Sequence, residues 1–382
     1  MIKKELIMTE KELREIKRRF RPERSNIPKI VGCFVNENKQ IIYRISQSIE
    51  FSETTLSERL LGSMKKVLSG SLGTNINEIS FSTKQVLESE EHKLLMTLRN
   101  SRLADNEALE AFYKKVIDSL EIEGNYVILL ANDVYDVFEY SKDAEKKESG
   151  EVFSYIVCAI CPIKNMPEAL SFKESECEFR SLNVSGVLGS AELGFMFPAF
   201  DNRSTNIYGA LYYTKSLSEN YPAFSESIFA REPAMPPKMQ KASFAGCLSE
   251  ALGEECSFEV IRSVHTQIGE MKEVHKESKD PEPLTITKST VKEILENSGV
   301  AAEKIEKLDK IFDEEFGVNA ILMPKNIIAD KKFEIETPEV KIKIDPEHRD
   351  LVSTQVINDV KYVMIRVDGA VELNGININI ED

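Results

Sequence analysis

Asp201, Asn202, Arg203, Ser204 and Thr205 form a dense polar run inside GFMFPAFDNRSTNIYGALYYT, between two apolar, aromatic segments. A guanidinium binds planar oxyanions through two parallel N–H bonds, so Arg203 could grip a phosphate or carboxylate with Asp201 orienting it. Asp201, Asn202, Arg203 and Ser204 are therefore candidate ligand-binding residues. The competing reading is a plain turn, because Asp, Asn and Ser side chains bond their own backbone there. LLANDVYDVF supplies a second candidate set, in which Asn132, Asp133 and Asp136 interrupt an apolar run. Carboxylates so placed could hold Mg²⁺ for phosphoryl chemistry, or mark a bulge or strand end. Arg99 and Arg102 are the third set: they could pair with an anionic ligand, cap carbonyls or meet Glu on the next helix.

SYIVCAICPI carries the pair Cys158 and Cys161. Zinc wants four ligands, and Cys33, Cys177, Cys247 and Cys256 lie scattered along the chain. Tyr155, Ile156, Val157 and Ile160 are strand formers. On a strand, residues three apart point to opposite faces, so both thiols read as structural and no metal is expected. Phosphate loops of the G-x-x-x-x-G-K and G-x-G-x-x-G types, the G-x-S-x-G elbow and H-E-x-x-H are absent. Only His92, His265, His275 and His348 occur, at no metal-binding spacing. No cofactor is expected.

These residues need elements to hold them. Thr9 and Glu12 form a capping box for a helix whose stripe is Leu13, Ile16 and Phe20, ended by Pro22. Two strands follow around NENK. Thr55 and Glu58 box the next helix, with a face of Leu56, Leu60, Met64, Val67 and Leu68. Two helices are expected near residues 85–120, the second facing inward through Ala108, Leu109, Phe112, Tyr113, Val116, Ile117 and Leu120. YVILLANDVYDVF reads as strand, polar kink, strand; after the charged loop DAEKKESG comes VFSYIVCAI, an antiparallel partner. LGFMFPAF and IYGALYYT form a further pair, and helices resume from about Pro222 to Lys276.

HKESKDPEPLT reads as a linker, followed by a helical hairpin built on Val291, Ile294 and Leu295, then Ile305, Leu308, Ile311, Phe312 and Phe316. The acidic second helix argues against a DNA reader. In the last sixty residues Asn-Asp, Asp-Gly and Asn-Gly punctuate alternating runs, the signature of a small antiparallel meander. The 382 residues carry a formal net charge of −15, against a general affinity for nucleic acid or anionic membrane. Lys3 to Arg24 is locally basic, and its densest part, Lys17 to Arg24, reads as a solvated helix face, with a small RNA contact as the alternative. No targeting or membrane-spanning run is visible, and six scattered cysteines suit reduced thiols in a cytoplasm.

Five stretches carry a resemblance: EEHKLLMTLRNSRLADNEALEAFYKKVIDSLEIEGNYVILLANDVYDV, EVFSYIVCAICPIK, ELGFMFPAFDNRSTNIYGALYYTKS, SFAGCLSEALGEECSFEVIRSVHTQI and KFEIETPEVKIKIDPEHRDLVSTQVINDVKYVMIRVDGAVELNGINI. The chain resembles, over nearly its full length, a family of proteins from anaerobic Gram-positive bacteria known as a domain of unknown function. The resemblance implies an intact cytoplasmic bacterial protein and brings no catalytic residue. The fold expected is α+β: N-terminal helices with an antiparallel sheet, then helices, a helical hairpin and a C-terminal β meander. The domains expected are 1–277, a linker and hairpin at 278–320, and a β domain at 321–382. The function expected is non-catalytic binding or regulation, with an unknown protein or a small anionic ligand as partner. The rival is a metal-assisted phosphoesterase or nuclease using Asp133, Asp136, Asp201 and Arg203.

Overall fold

The chain divides into two units, Met1–Pro236 with Pro281–Pro283, and Pro237–Asp280 with Leu284–Asp382. The computed structural model describes residues 8–137, 151–165, 169–182, 186–278, 283–328, 333–367, 369, 371–373 and 376–378. The DAEKKESG loop, the middle of the proposed linker and the Asn374-Gly375 turn fall outside the described residues.

The first unit runs α1 (Glu10–Lys17), β1 (Lys29–Val35), β2 (Ile41–Ser48), α2 (Thr54–Lys65), β3 (Ile76–Ser80), α3 (Thr83–Glu88), α4 (Glu90–Asn100) and α5 (Asn106–Ser119). It continues with β4 (Tyr126–Val137), β5 (Glu151–Lys164), β6 (Ala169–Lys173), β7 (Glu178–Leu182), β8 (Val187–Leu188), β9 (Leu193–Phe197), β10 (Ala199–Asp201), β11 (Ser204–Asn206), β12 (Gly209–Thr214) and α6 (Pro222–Phe229). The main sheet has the order β2-β1-β4-β5-β9-β12-β3, with β8 pairing the end of β5. Every neighbour is antiparallel.

Both faces of this sheet are covered. One core joins Ile128, Ile156, Cys158, Ile160, Phe195 and Tyr212 of the strands to Leu95, Leu98, Phe112, Tyr113, Phe224 and Phe229 of α4, α5 and α6. The other joins Val127, Leu129, Val157, Ala159, Cys161 and Met196 to Leu13, Ile16, Leu61, Met64 and Leu68 of α1, α2 and the turn after it. Double coverage explains why β4 and β5 read as apolar runs rather than alternating ones: neither face meets water.

Some expectations change in detail. The helical region near 85–120 holds three helices, the extra one being the short α3. α2 starts at Thr54 without a side-chain cap, and its buried side is Ser57, Leu61 and Met64 rather than Leu56 and Leu60. Met64, Val67 and Leu68 of the expected stripe are buried; Leu61 takes the fully buried place expected of Leu60, because both suit a helix face by type. The polar interruption in β4 makes no kink. All twelve residues pair in register with β5, from Tyr126 opposite Pro162 to Val137 opposite Glu151. Asn132 can stay in the strand because its amide donates to the Tyr155 carbonyl at 2.9 Å. The strand pair around the polar run holds β9 and β12 in the main sheet, with a separate hairpin, β10–β11, inserted between them.

The second unit runs α7 (Pro237–Leu252), α8 (Phe258–Ser278), β13 (Ile286–Thr287), α9 (Lys288–Asn297), α10 (Ala302–Phe316), β14 (Ile321–Leu322) and α11 (Pro324–Ile327). Then come β15 (Phe333–Glu336), β16 (Lys341–Ile344), β17 (Val352–Ile357), β18 (Val360–Ile365), β19 (Val371–Leu373) and β20 (Ile376–Ile378). Its core places Phe244, Leu248, Val264 and Ile268 of α7 and α8 against Val291, Ile294, Leu295, Leu308 and Phe312 of the helical hairpin. The break therefore falls after Pro236, not at residue 277: the apolar faces of α7 and α8 are buried by α9 and α10. The C-terminal region is antiparallel β as expected, and among the described residues its strands pair two by two as the hairpins β15–β16, β17–β18 and β19–β20. Turn chemistry closes each pair locally but does not dictate pairing between hairpins.

Candidate functional site

The candidate charges gather where α1 and the chain after it cross the sheet. Asp133 is buried on β4, and both its oxygens are filled. Oδ2 accepts from Arg19 Nε at 2.9 Å and from the Tyr155 hydroxyl at 2.9 Å. Oδ1 accepts from Arg19 Nη2 at 3.1 Å and from the Asn26 backbone N–H at 3.1 Å. A carboxylate offers about four lone-pair sites, so none remains for a metal. Burial alone pulls Arg19 down, but the Asp133 hydrogen bond and charge hold the guanidinium above its ordinary value. Burial, with the Asp133 charge beside it, pushes the Tyr155 phenol well above its ordinary value.

A second chain of bonds meets the first. The Arg19 guanidinium lies 4.9 Å from the centroid of the Tyr135 ring. Tyr135 donates to Glu15 Oε1 at 2.6 Å. Arg203 donates to the same carboxylate, Nη2 to Oε1 at 2.9 Å and Nε to Oε2 at 3.3 Å. Burial and the Glu15 charge raise the Tyr135 phenol to about 12, and the Glu15 hydrogen bond raises Arg203. The Arg203 backbone N–H donates to Glu12 Oε1, while the other Glu12 oxygen caps α1 at Thr9. The helix cap and the hairpin tip are thus tied to one side chain.

Within that tip, Asn202 and Arg203 have φ of 48° and 59° and link Asp201 to Ser204, the geometry of a two-residue type I′ turn. Asp201 accepts from the side chains of Asn202 and Asn206 at 3.1 and 3.0 Å. Ser204 donates to Glu151 at 2.7 Å. The structure brings Asp201, Asn202, Arg203 and Ser204 together on one hairpin, with their polar atoms directed into intramolecular bonds.

Over residues 8–376 the chain matches the model of a family described as "Domain of unknown function (DUF4317)". The chain belongs to this family. No curated protein matches it.

The remaining candidates of this DUF4317 protein lie apart from the network. Asp136 is exposed near the end of β4. Arg99 donates from Nε to the Ser154 carbonyl at 2.8 Å and from Nη1 to Asn100, and its burial lowers its pKa. Arg102 is exposed at the end of α4, with φ of 53°. Cys158 and Cys161 sit in the middle of the sheet, one in each core. Burial pushes the Cys158 thiol well above its ordinary value and raises Cys161 to about 12. Among the described residues no group of three or more His, Cys, Asp or Glu could hold a metal ion. In the basic N-terminal segment, Arg19 is spent on Asp133, while Arg18, Arg21 and Arg24 are exposed. Sequence reasoning missed Glu12, Glu15, Arg19, Tyr135 and Tyr155. Their partners lie far along the chain, and no spacing rule links them.

Proposed function

We propose that the protein is a non-catalytic binding or regulatory protein of the bacterial cytoplasm that takes an extended segment of a protein partner on its β17–β18 hairpin. One observation carries this reading: of the twelve strand residues in that hairpin, all but Val352 and Met364 are exposed. Val356, Ile357, Val360, Tyr362, Val363 and Ile365 give it an apolar surface. Neither strand pairs with any other described strand. A two-stranded hairpin alone is marginal in water, and open apolar edges invite another chain. The hairpin has one acidic and one basic residue, Asp359 and Lys361, in a chain of net charge −15, and interface cores are similarly depleted of charge. Adding a strand would satisfy the open N–H and C=O groups while apolar side chains dock beside them.

The internal pairing of Asp133 and Arg203 supports a non-catalytic role, and buried free thiols suit a reducing compartment. No described helix is long and apolar enough to cross a membrane. The test is hydrogen exchange on the protein alone and in a complex purified from its own host. The amides of 352–365 are expected to exchange freely alone and slowly in the complex, and Val363→Asp is expected to lose the partner. Protection confined to other segments would overturn the reading.

A further inference from the structure

Arg349 stands out in the second unit. Its Nε is closed to solvent and has no hydrogen-bond partner among the described residues. Leaving a buried donor unmade is costly, more so for a charged group, so such a donor needs an explanation. The guanidinium lies over the Phe333 ring, 5.9 Å from its centroid. That contact engages the face of the cation, whereas its N–H donors radiate in the plane. Nearby cations in this unit have carboxylates: Arg262 pairs with Glu259, Arg366 with Asp350 at 3.0 Å, and Lys341 with Glu334 at 3.0 Å. Arg349 makes no ion pair with any described residue, although the chain has 64 Asp and Glu.

Other donors meet it. Arg349 crosses α8 at Gly269, where an added Cβ would sit 3.8 Å from Nη1. One helical turn earlier, at i and i+4 spacing, His265 packs its ring edge-on to the same Phe333 at 5.9 Å. Burial first, and then the positive charges of Arg349 and of Lys241 on α7, together lower the His265 pKa to about 4. His265 and Arg349 are partly open to solvent and Lys241 is exposed, so the cluster is reached from outside. Arg349 and His265 thus meet around one aromatic ring, the Lys241 charge acts on the same imidazole, and among the described residues no carboxylate is bonded to Arg349.

We infer that Arg349, His265 and Lys241 form a binding site for a small oxyanion, a carboxylate or phosphate group. Arg349 would offer its planar fork, Lys241 a point charge, and His265 a single N–H whose protonation the anion favours. The inference is independent of the hairpin reading, since it concerns other residues and another class of ligand.

The test is an NMR pH titration of the four imidazoles, which single substitutions assign. It is run at constant ionic strength with sodium chloride, inorganic phosphate or acetate. One or both oxyanions are expected to raise the His265 pKa by about one unit or more over chloride. The shift is expected to vanish in Arg349→Gln and to weaken in Arg349→Lys, which keeps the charge without the fork. Unchanged ring-proton signals of Phe244 and Phe312, in the core of the second unit, would confirm that each variant folds. A response to phosphate alone assigns a phosphate ligand, and a response to acetate alone a carboxylate. No response to either, an equal response in Arg349→Gln, or an equal movement of His275 and His348 would overturn the site.

Discussion

Two hairpins in this molecule share a turn and differ in everything laid on it. β10–β11 turns through Asn202 and Arg203, and β17–β18 through Asn358 and Asp359, with φ of 51° and 62° at the second pair. In both, two residues of positive φ give the twist that suits a two-residue connection. In the first, Phe200 is fully buried, 4.7 Å from Phe153 and 6.1 Å from Tyr135 between ring centroids. Its tip is bonded to α1 through Glu12 and Glu15. In the second, only Val352 is buried. Turn chemistry makes a hairpin; whether it becomes core or surface is decided by what packs against it.

Substitutions can sharpen or break this contrast. Phe200→Ala is expected to cost about 3–5 kcal/mol in urea unfolding, as for other buried aromatic truncations. A cost near zero would mean that the first hairpin is not part of the core. Asp133→Ala strands Arg19, whose side chain is 14% exposed, and should cost about 3 kcal/mol. Arg203→Ala removes an ion pair whose side chains are 34% and 22% exposed, so screening limits the loss to about 1 kcal/mol or less, reduced further by salt. Tyr362→Ala on the open hairpin should leave unfolding within about 0.5 kcal/mol of the parent while weakening partner capture. A large loss of stability in Tyr362→Ala would show that the second hairpin is already covered within this chain.

Much of the architecture is legible in the residues themselves. The Thr9–Glu12 capping box, the inward stripe of α5 and the two stripes of the helical hairpin all lie where local spacing puts them. Those features depend on neighbours within a turn or two. The misreadings depend on distant partners. β4 stays straight because Arg19, over a hundred residues away, meets Asp133. α7 and α8 belong to the second unit because their apolar faces meet α9 and α10, which periodicity cannot report. At 201–204 a ligand grip and a plain turn compete by residue type; the chain turns there, and Glu15, far away in sequence, occupies the fork of Arg203 that a ligand would need.

The central strand β5 has a consequence for how the first unit opens. Cys158 lies in the layer under α4, α5 and α6, and Cys161 in the layer under α1 and α2. Three residues apart in sequence, they report on opposite sides of the sheet. If one layer loosens as a separate cooperative unit, a thiol reagent will capture one of them long before the other. If the layers separate together, both will be captured at one rate. The order of labelling would therefore tell whether the sheet is held by two independent clasps or by one.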